Sequence, residues 1–149
     1  MATNVAKDDG DPTSHVISLR LKPTEAEKLK RLARLLRRSV SSTASLLLEE
    51  KLREGEFTYV EFKDSSLGRQ AYLRGRRLSV WEVCWIAQRF ENKPSAVAEH
   101  LQWPLELVAS ALSYAGAYPE EIEPLVAEAN SLTLKDLKRK LPGLQAIEV

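Results

Sequence analysis

The sequence predicts a mainly α protein in two parts: a strand followed by two helices, which needs a second copy of itself, and then a small helical domain with short β pieces. Three observations lead there. Residues 16–22 alternate apolar and polar side chains, the period of a strand with one buried face. Two segments of helical period follow directly, with leucines and alanines three and four residues apart. From Ser79 onward, capping residues and prolines return at short intervals, as they do where short helices follow one another.

Composition sets the limits. The 149 residues are 44% hydrophobic and 29% charged, which is globular usage and excludes a disordered or collagen-like chain. The single cysteine, Cys84, has no partner for an internal disulfide. The first residues are polar and acidic and do not read as a signal peptide. No apolar run approaches the roughly 20 residues that span a bilayer. The expectation is a soluble, cytoplasmic protein. Its net charge of +1 hides a division. Residues 15–55 carry ten Lys or Arg against five Glu, whereas residues 79–130 carry two basic residues against eight Glu. Opposite charge on the two halves points to a different partner for each.

Residues 1–14 hold charge, Gly and Pro without periodicity and read as a flexible arm. Ile17, Leu19 and Leu21 then form the apolar side of the strand, which Pro23 ends. Thr24 and Glu27 have the spacing of a capping box, and Leu29, Leu32, Ala33 and Leu36 continue a helix over residues 24–37. Residues 38–42 are a turn in which Ser39 is the chosen N-cap. Ala44, Leu47, Leu48 and Lys51 mark the buried side of a second helix, with Gly55 as its C′ residue. A lone strand leaves its ladder groups unpaired, and a unit of about 40 residues buries little. Two copies solve both problems by pairing their strands antiparallel under four helices. This order of strand, Pro, helix, Ser-rich turn and Leu47-Leu48-Glu49-Glu50-Lys51-Leu52 helix resembles the ribbon-helix-helix repressors and antitoxins of the Arc/MetJ/CopG type, over residues 15–55.

In the second part, residues 58–63 alternate weakly, and residues 67–80 read as short extended pieces turning at Gly68 and Gly75. Ser79 and Glu82 form a capping box for a helix through Val83, Ile86, Ala87 and Phe90. Pro94 opens a helix that ends at Leu101. Pro104 starts another with Leu105, Val108, Ala109 and Leu112 on one face, and Pro119 a last one with Ile122, Leu125 and Val126. Short helices joined by tight turns suggest a helix-turn-helix arrangement. Leu67-Gly68, Leu73-Arg74-Gly75 with Arg77-Leu78 and Val80, Ala111-Leu112 with Tyr114, and Tyr118-Pro119-Glu120-Glu121-Ile122 make residues 57–128 similar to a helix-turn-helix-like domain of unassigned function found in bacterial toxin–antitoxin operons. Arg76 stands where members of that family often carry Thr. Residues 131–149 are a tail with an amphipathic stretch, Leu134, Leu137 and Leu141 on one side.

Four places are candidates for function. If Ile17, Leu19 and Leu21 face a dimer core, Val16, Ser18, Arg20 and Lys22 face outward, and a two-stranded ribbon fits the DNA major groove. There Arg20 has the fork to read guanine, Ser18 bonds several bases, Val16 meets a thymine methyl and Lys22 a phosphate; a solvated strand face is the plain alternative. Ser39, Val40 and Ser41 place backbone amides at a helix start, where a phosphate is a natural ligand and simple capping the alternative. Lys28, Lys30, Arg31, Arg34, Arg37 and Arg38 read as a solvated helix face; Arg74, Arg76 and Arg77 read as a second nucleic-acid contact or, as the resemblance of this part implies, as a structural turn. In the tail, Leu134, Leu137, Arg139 and Leu141 are the candidate partner-binding residues, an amphipathic helix for a groove.

Trp81 and Trp85 lie four residues apart and, with Trp103, read as core aromatics. His15 and His100 are isolated, no phosphate loop or nucleophile elbow occurs, and Cys84 lacks a second thiol, so neither enzyme, metal nor cofactor is expected. The resemblance implies a homodimeric antitoxin that binds operator DNA through its ribbon and neutralises a PIN-like ribonuclease toxin; the sequence leaves open whether dimers pair into a higher oligomer on adjacent half-sites. The alternatives are a DNA-binding repressor without a toxin, and an adaptor that uses the ribbon only to dimerise.

Overall fold

The computed structural model describes residues 14–132 together with Asp136 and Arg139. The described residues comprise six α-helices and one two-stranded antiparallel sheet, and they divide into two units at Ser45 and Leu46. The flexible arm expected over residues 1–14 lies, except for Ser14, outside the described residues.

In the first unit, residues 14–22 form neither helix nor ladder, and among the described residues no strand pairs with them. Their large apolar side chains are bare: Val16 and Ile17 are each 73% exposed, Leu19 69% and Leu21 46%. The expected one-sided burial of Ile17, Leu19 and Leu21 is therefore absent from the single chain. Helix α1 spans Pro23–Leu36, one residue ahead of the expected start, because Pro23 takes the first helical position that suits its missing N–H. The expected pair Thr24 and Glu27 is displaced accordingly. Glu25 Oε2 accepts from the Lys22 backbone N–H at 3.2 Å, while the Glu27 carboxylate pairs with Lys30. The helix closes at Arg37, whose left-handed backbone (φ 53°) lets the Arg38 N–H reach the Ala33 carbonyl at 3.0 Å.

Helix α2 spans Val40–Glu56 and crosses the division between the units. Ser39 is its N-cap as expected: Ser39 Oγ accepts from the Ser42 N–H at 3.0 Å. Its far end differs. The helix continues through Gly55, which keeps a helical conformation rather than serving as C′. Its buried side differs too, since Thr43 (0% exposed) and Glu50 (6%) are buried while Leu48 and Lys51 are exposed. Both buried groups are satisfied. Thr43 Oγ1 donates to the Ser39 carbonyl at 2.8 Å, and Glu50 receives Arg69 bidentately at 2.8 and 2.9 Å.

The second unit continues with a hairpin, β1 Val60–Ser65 and β2 Gly68–Leu73, in register Val60↔Leu73 to Ser65↔Gly68. Gly68 and Gly75 hold the positive φ angles (96° and 70°) that end the two turns. Four helices follow: α3 Val80–Ala87, α4 Pro94–Leu101, α5 Leu105–Ala117 and α6 Pro119–Ser131. Ser79 caps α3 in the expected box, with the Ser79 N–H donating to Glu82 Oε2 at 2.7 Å. The core takes Val60 and Leu73 from the hairpin, Val80 and Val83 from α3, Val97 from α4, and Val108, Ala111 and Tyr114 from α5. On α5 the buried face is Leu107, Val108, Ala111 and Tyr114; Leu105 and Ala109 of the expected face are exposed. Pro104 is the N-cap of this helix, which puts Leu105 in its first turn.

Candidate nucleic-acid and partner interfaces

The residues proposed to meet DNA all belong to the first unit, and all are exposed: Val16, Ser18, Arg20, Lys22, Ser39, Val40 and Ser41. Among the described residues no hydrogen bond or ion pair joins residues 16–22 to residues 39–41. Among the described residues the Arg20 guanidinium has no ion-pair partner, whereas Ser39 Oγ is engaged as a cap. The amides of Val40 and Ser41 stand in the first turn of a 17-residue helix, free of intrahelical partners as helix starts are.

Of the four tail residues, Leu134, Leu137 and Leu141 lie outside the described residues. Arg139 is exposed and holds Asp136 Oδ1 at 2.7 Å.

The second unit carries the pair α4 and α5 joined by the short turn Gln102-Trp103-Pro104. Its second helix is chemically unsuited to reading bases. The exposed positions of α5 are Leu105, Glu106, Ala109, Ser113, Gly116 and Ala117, without one Arg, Lys, Asn or Gln. Exposed carboxylates at Glu91, Glu99, Glu106, Glu120, Glu123 and Glu128 add a field that repels phosphate.

A polar network that sequence reasoning missed ties α2 to this unit. Arg53 Nη1 donates to Tyr114 Oη at 2.9 Å and to Glu121 Oε2 at 2.6 Å, Nη2 bonds Glu49, and the guanidinium lies 3.9 Å above the Tyr118 ring. The Tyr114 hydroxyl donates in turn to Glu121 Oε1 at 3.0 Å. Burial opposes the Arg53 charge, but its bonds to Glu121 and Tyr114 outweigh this and raise its pKa. Burial pushes the Tyr114 phenol well above its ordinary range, so it stays a donor. Only the Leu–Leu–Glu–Glu pattern around Arg53 was visible in sequence, because its partners lie 61 and 68 positions away.

Trp81 and Trp85 are half-buried, donating from Nε1 to Gln70 at 3.4 Å and to Asn130 at 2.9 Å. A cleft of about 490 Å³ between α3, α5 and α6 is lined by Cys84, Gln88, Leu112, Ile122, Val126 and Asn130. Burial pushes the Cys84 thiol up to about 11. The folded state thus favours the neutral thiol, and this preference is lost as pH rises through that value. At pH 8 the native chain is expected to react with iodoacetamide markedly more slowly than after denaturation in urea, because burial disfavours the reactive thiolate. Equal rates in the two states refute this.

Among the described residues, no group of three His, Cys, Asp or Glu side chains is placed to hold a metal ion, and no helix is long and apolar enough to cross a membrane. No protein-family model, curated protein or solved structure matches the chain.

Proposed function

We propose that this chain is the antitoxin of a type II toxin–antitoxin pair, a homodimer that binds operator DNA and neutralises a PIN-like ribonuclease. The observation that carries the reading is the bare apolar segment at residues 16–21, which lacks a ladder partner and is followed directly by two helices. A second copy supplies both the missing hydrogen bonds and the missing burial. The ribbon so formed turns Val16, Ser18, Arg20 and Lys22 toward the major groove, and the amides of Val40 and Ser41 with the Ser39 cap toward phosphate. The acidic helical unit and the tail around Leu134, Leu137, Arg139 and Leu141 hold the toxin, whose RNA path is basic and attracted to carboxylates. The cation-free α5 favours a protein partner for this unit over a second reading of DNA.

The test is the mass of the intact complex, purified from its own host at low salt and weighed by native mass spectrometry. A dimer carrying a small protein that degrades RNA once separated is the expected result. A bare dimer that still binds DNA overturns the toxin and leaves the alternative, a DNA-binding transcriptional repressor. A dimer without DNA affinity leaves only the adaptor.

A further inference from the structure

Nine Lys and Arg residues lie between positions 46 and 132, and the structure treats them unequally. Five are neutralised by carboxylates: Lys51 by Glu54, Arg53 by Glu49 and Glu121, Lys63 by Glu61, Arg69 by Glu50 and Asp64, and Lys93 by Glu91. Among the described residues Arg74, Arg76, Arg77 and Arg89 form no ion pair, and three of these four fall within one turn after β2. Two of the three are nonetheless held in place. Arg74 donates from Nε to the Thr58 carbonyl at 3.2 Å and from Nη2 to the Val60 carbonyl at 3.3 Å. Arg76 lies 5.2 Å from the Trp103 ring, and its carbonyl accepts from Lys63 Nζ at 3.4 Å. Gly75, at φ 70°, makes the turn, and its N–H is fixed by Glu61 Oε1 at 3.1 Å. Arg77 is exposed beside them. Glu61, which accepts from the Gly75 N–H and interacts with the Arg74 charge, offsets part of the charge of the turn, while carbonyl and indole partners position Arg74 and Arg76, so the turn remains an ordered cationic knob of three guanidiniums.

We infer that the turn Arg74–Arg77 is a second nucleic-acid contact that grips the phosphate backbone of duplex DNA without reading bases. This rests on the DNA-binding half of the reading above and adds to it a site outside the ribbon. A phosphate chain is the favoured occupant over an acidic protein segment because guanidiniums fixed through their other donors suit closely spaced phosphates, and the pair of Arg76 on Trp103 offers a flat face beside them. The exposed Glu side chains of α4, α5 and α6 repel the duplex elsewhere on this unit, which leaves the turn after β2 as its point of approach.

The experiment uses the full chain and a duplex of arbitrary sequence, with fluorescence anisotropy read across a series of KCl concentrations. Arg77→Ser, which removes no hydrogen bond or ion pair found among the described residues, is expected to weaken binding and lower the slope of log affinity against log salt by about 0.9, and Arg74→Ser/Arg77→Ser by about twice that. A slope unchanged in both variants overturns the inference, as does an equal fall in Lys51→Gln/Lys93→Gln, which would mean that net charge alone matters. An unchanged slope with lost toxin capture also overturns it and makes the turn a protein contact. Arg20→Ala separates this inference from the ribbon reading. It should cost operator preference about tenfold or more while leaving the Arg77→Ser effect on arbitrary DNA in place.

Discussion

Replacing Arg53 with leucine is expected to lower the unfolding free energy by about 3 kcal/mol. The argument is one of stranded partners. Arg53 is only 17% exposed and is the cation between two carboxylates and a phenol that is itself fully buried. Leucine fills part of the volume but leaves Glu121 beside Tyr114 with its charge uncompensated, and the stacking on Tyr118 is lost with the guanidinium. The loss stays below the upper end for buried pairs because Glu121 is 32% exposed and water reaches it. Urea unfolding of Arg53→Leu, Glu121→Leu and the double variant checks this. The two single losses should sum to more than the double, since each strands what the other removes. A loss under about 1 kcal/mol for Arg53→Leu would mark the network as ordinary solvated surface.

Local chemistry made much of the fold legible. Ser39 and Ser79 cap the helices that their sequence positions assign to them, and Pro94 and Pro119 open α4 and α6, because each of these effects is decided within four residues. Legibility failed where a distant partner decides. Glu50 reads as the exposed side of α2 until Arg69, 19 positions on, pairs with it and takes it out of water. Gly55 has the composition of a helix stop, yet α2 continues past it, with Arg53 and Glu54 bonded to residues later in the chain. The candidate site divides in the same way. Exposure of Val16, Ser18 and Arg20 was expected from the alternation, but that same alternation assigned Leu19 to a buried face, which one chain cannot build.

That last point yields the sharpest test of the assembly. Leu19→Asp is expected to weaken dimerisation by about 4 kcal/mol, about a thousandfold in the dissociation constant. In the lone chain Leu19 is 69% exposed and part of no core, so the substitution removes no packing there and the far-ultraviolet circular dichroism of the helices should be unchanged. In the proposed dimer the two-fold axis brings the same position into the shared core twice. Burying two leucines contributes about 2 kcal/mol each, and two facing carboxylates would have to be desolvated or drawn apart. Sedimentation equilibrium distinguishes the cases: the unsubstituted chain should run as a dimer and Leu19→Asp as a folded monomer. DNA binding should fall with it, because a single strand cannot fill the groove as a ribbon does. A Leu19→Asp protein that remains dimeric would place the interface elsewhere, and with it the whole assignment of Arg20 to base contact. Ser18→Ala serves as the outward counterpart: it should leave the dimer intact and touch only the DNA titration. If Ser18→Ala rather than Leu19→Asp dissociates the dimer, the strand faces the other way round, and Ile17, Leu19 and Leu21 are the side that meets solvent or partner.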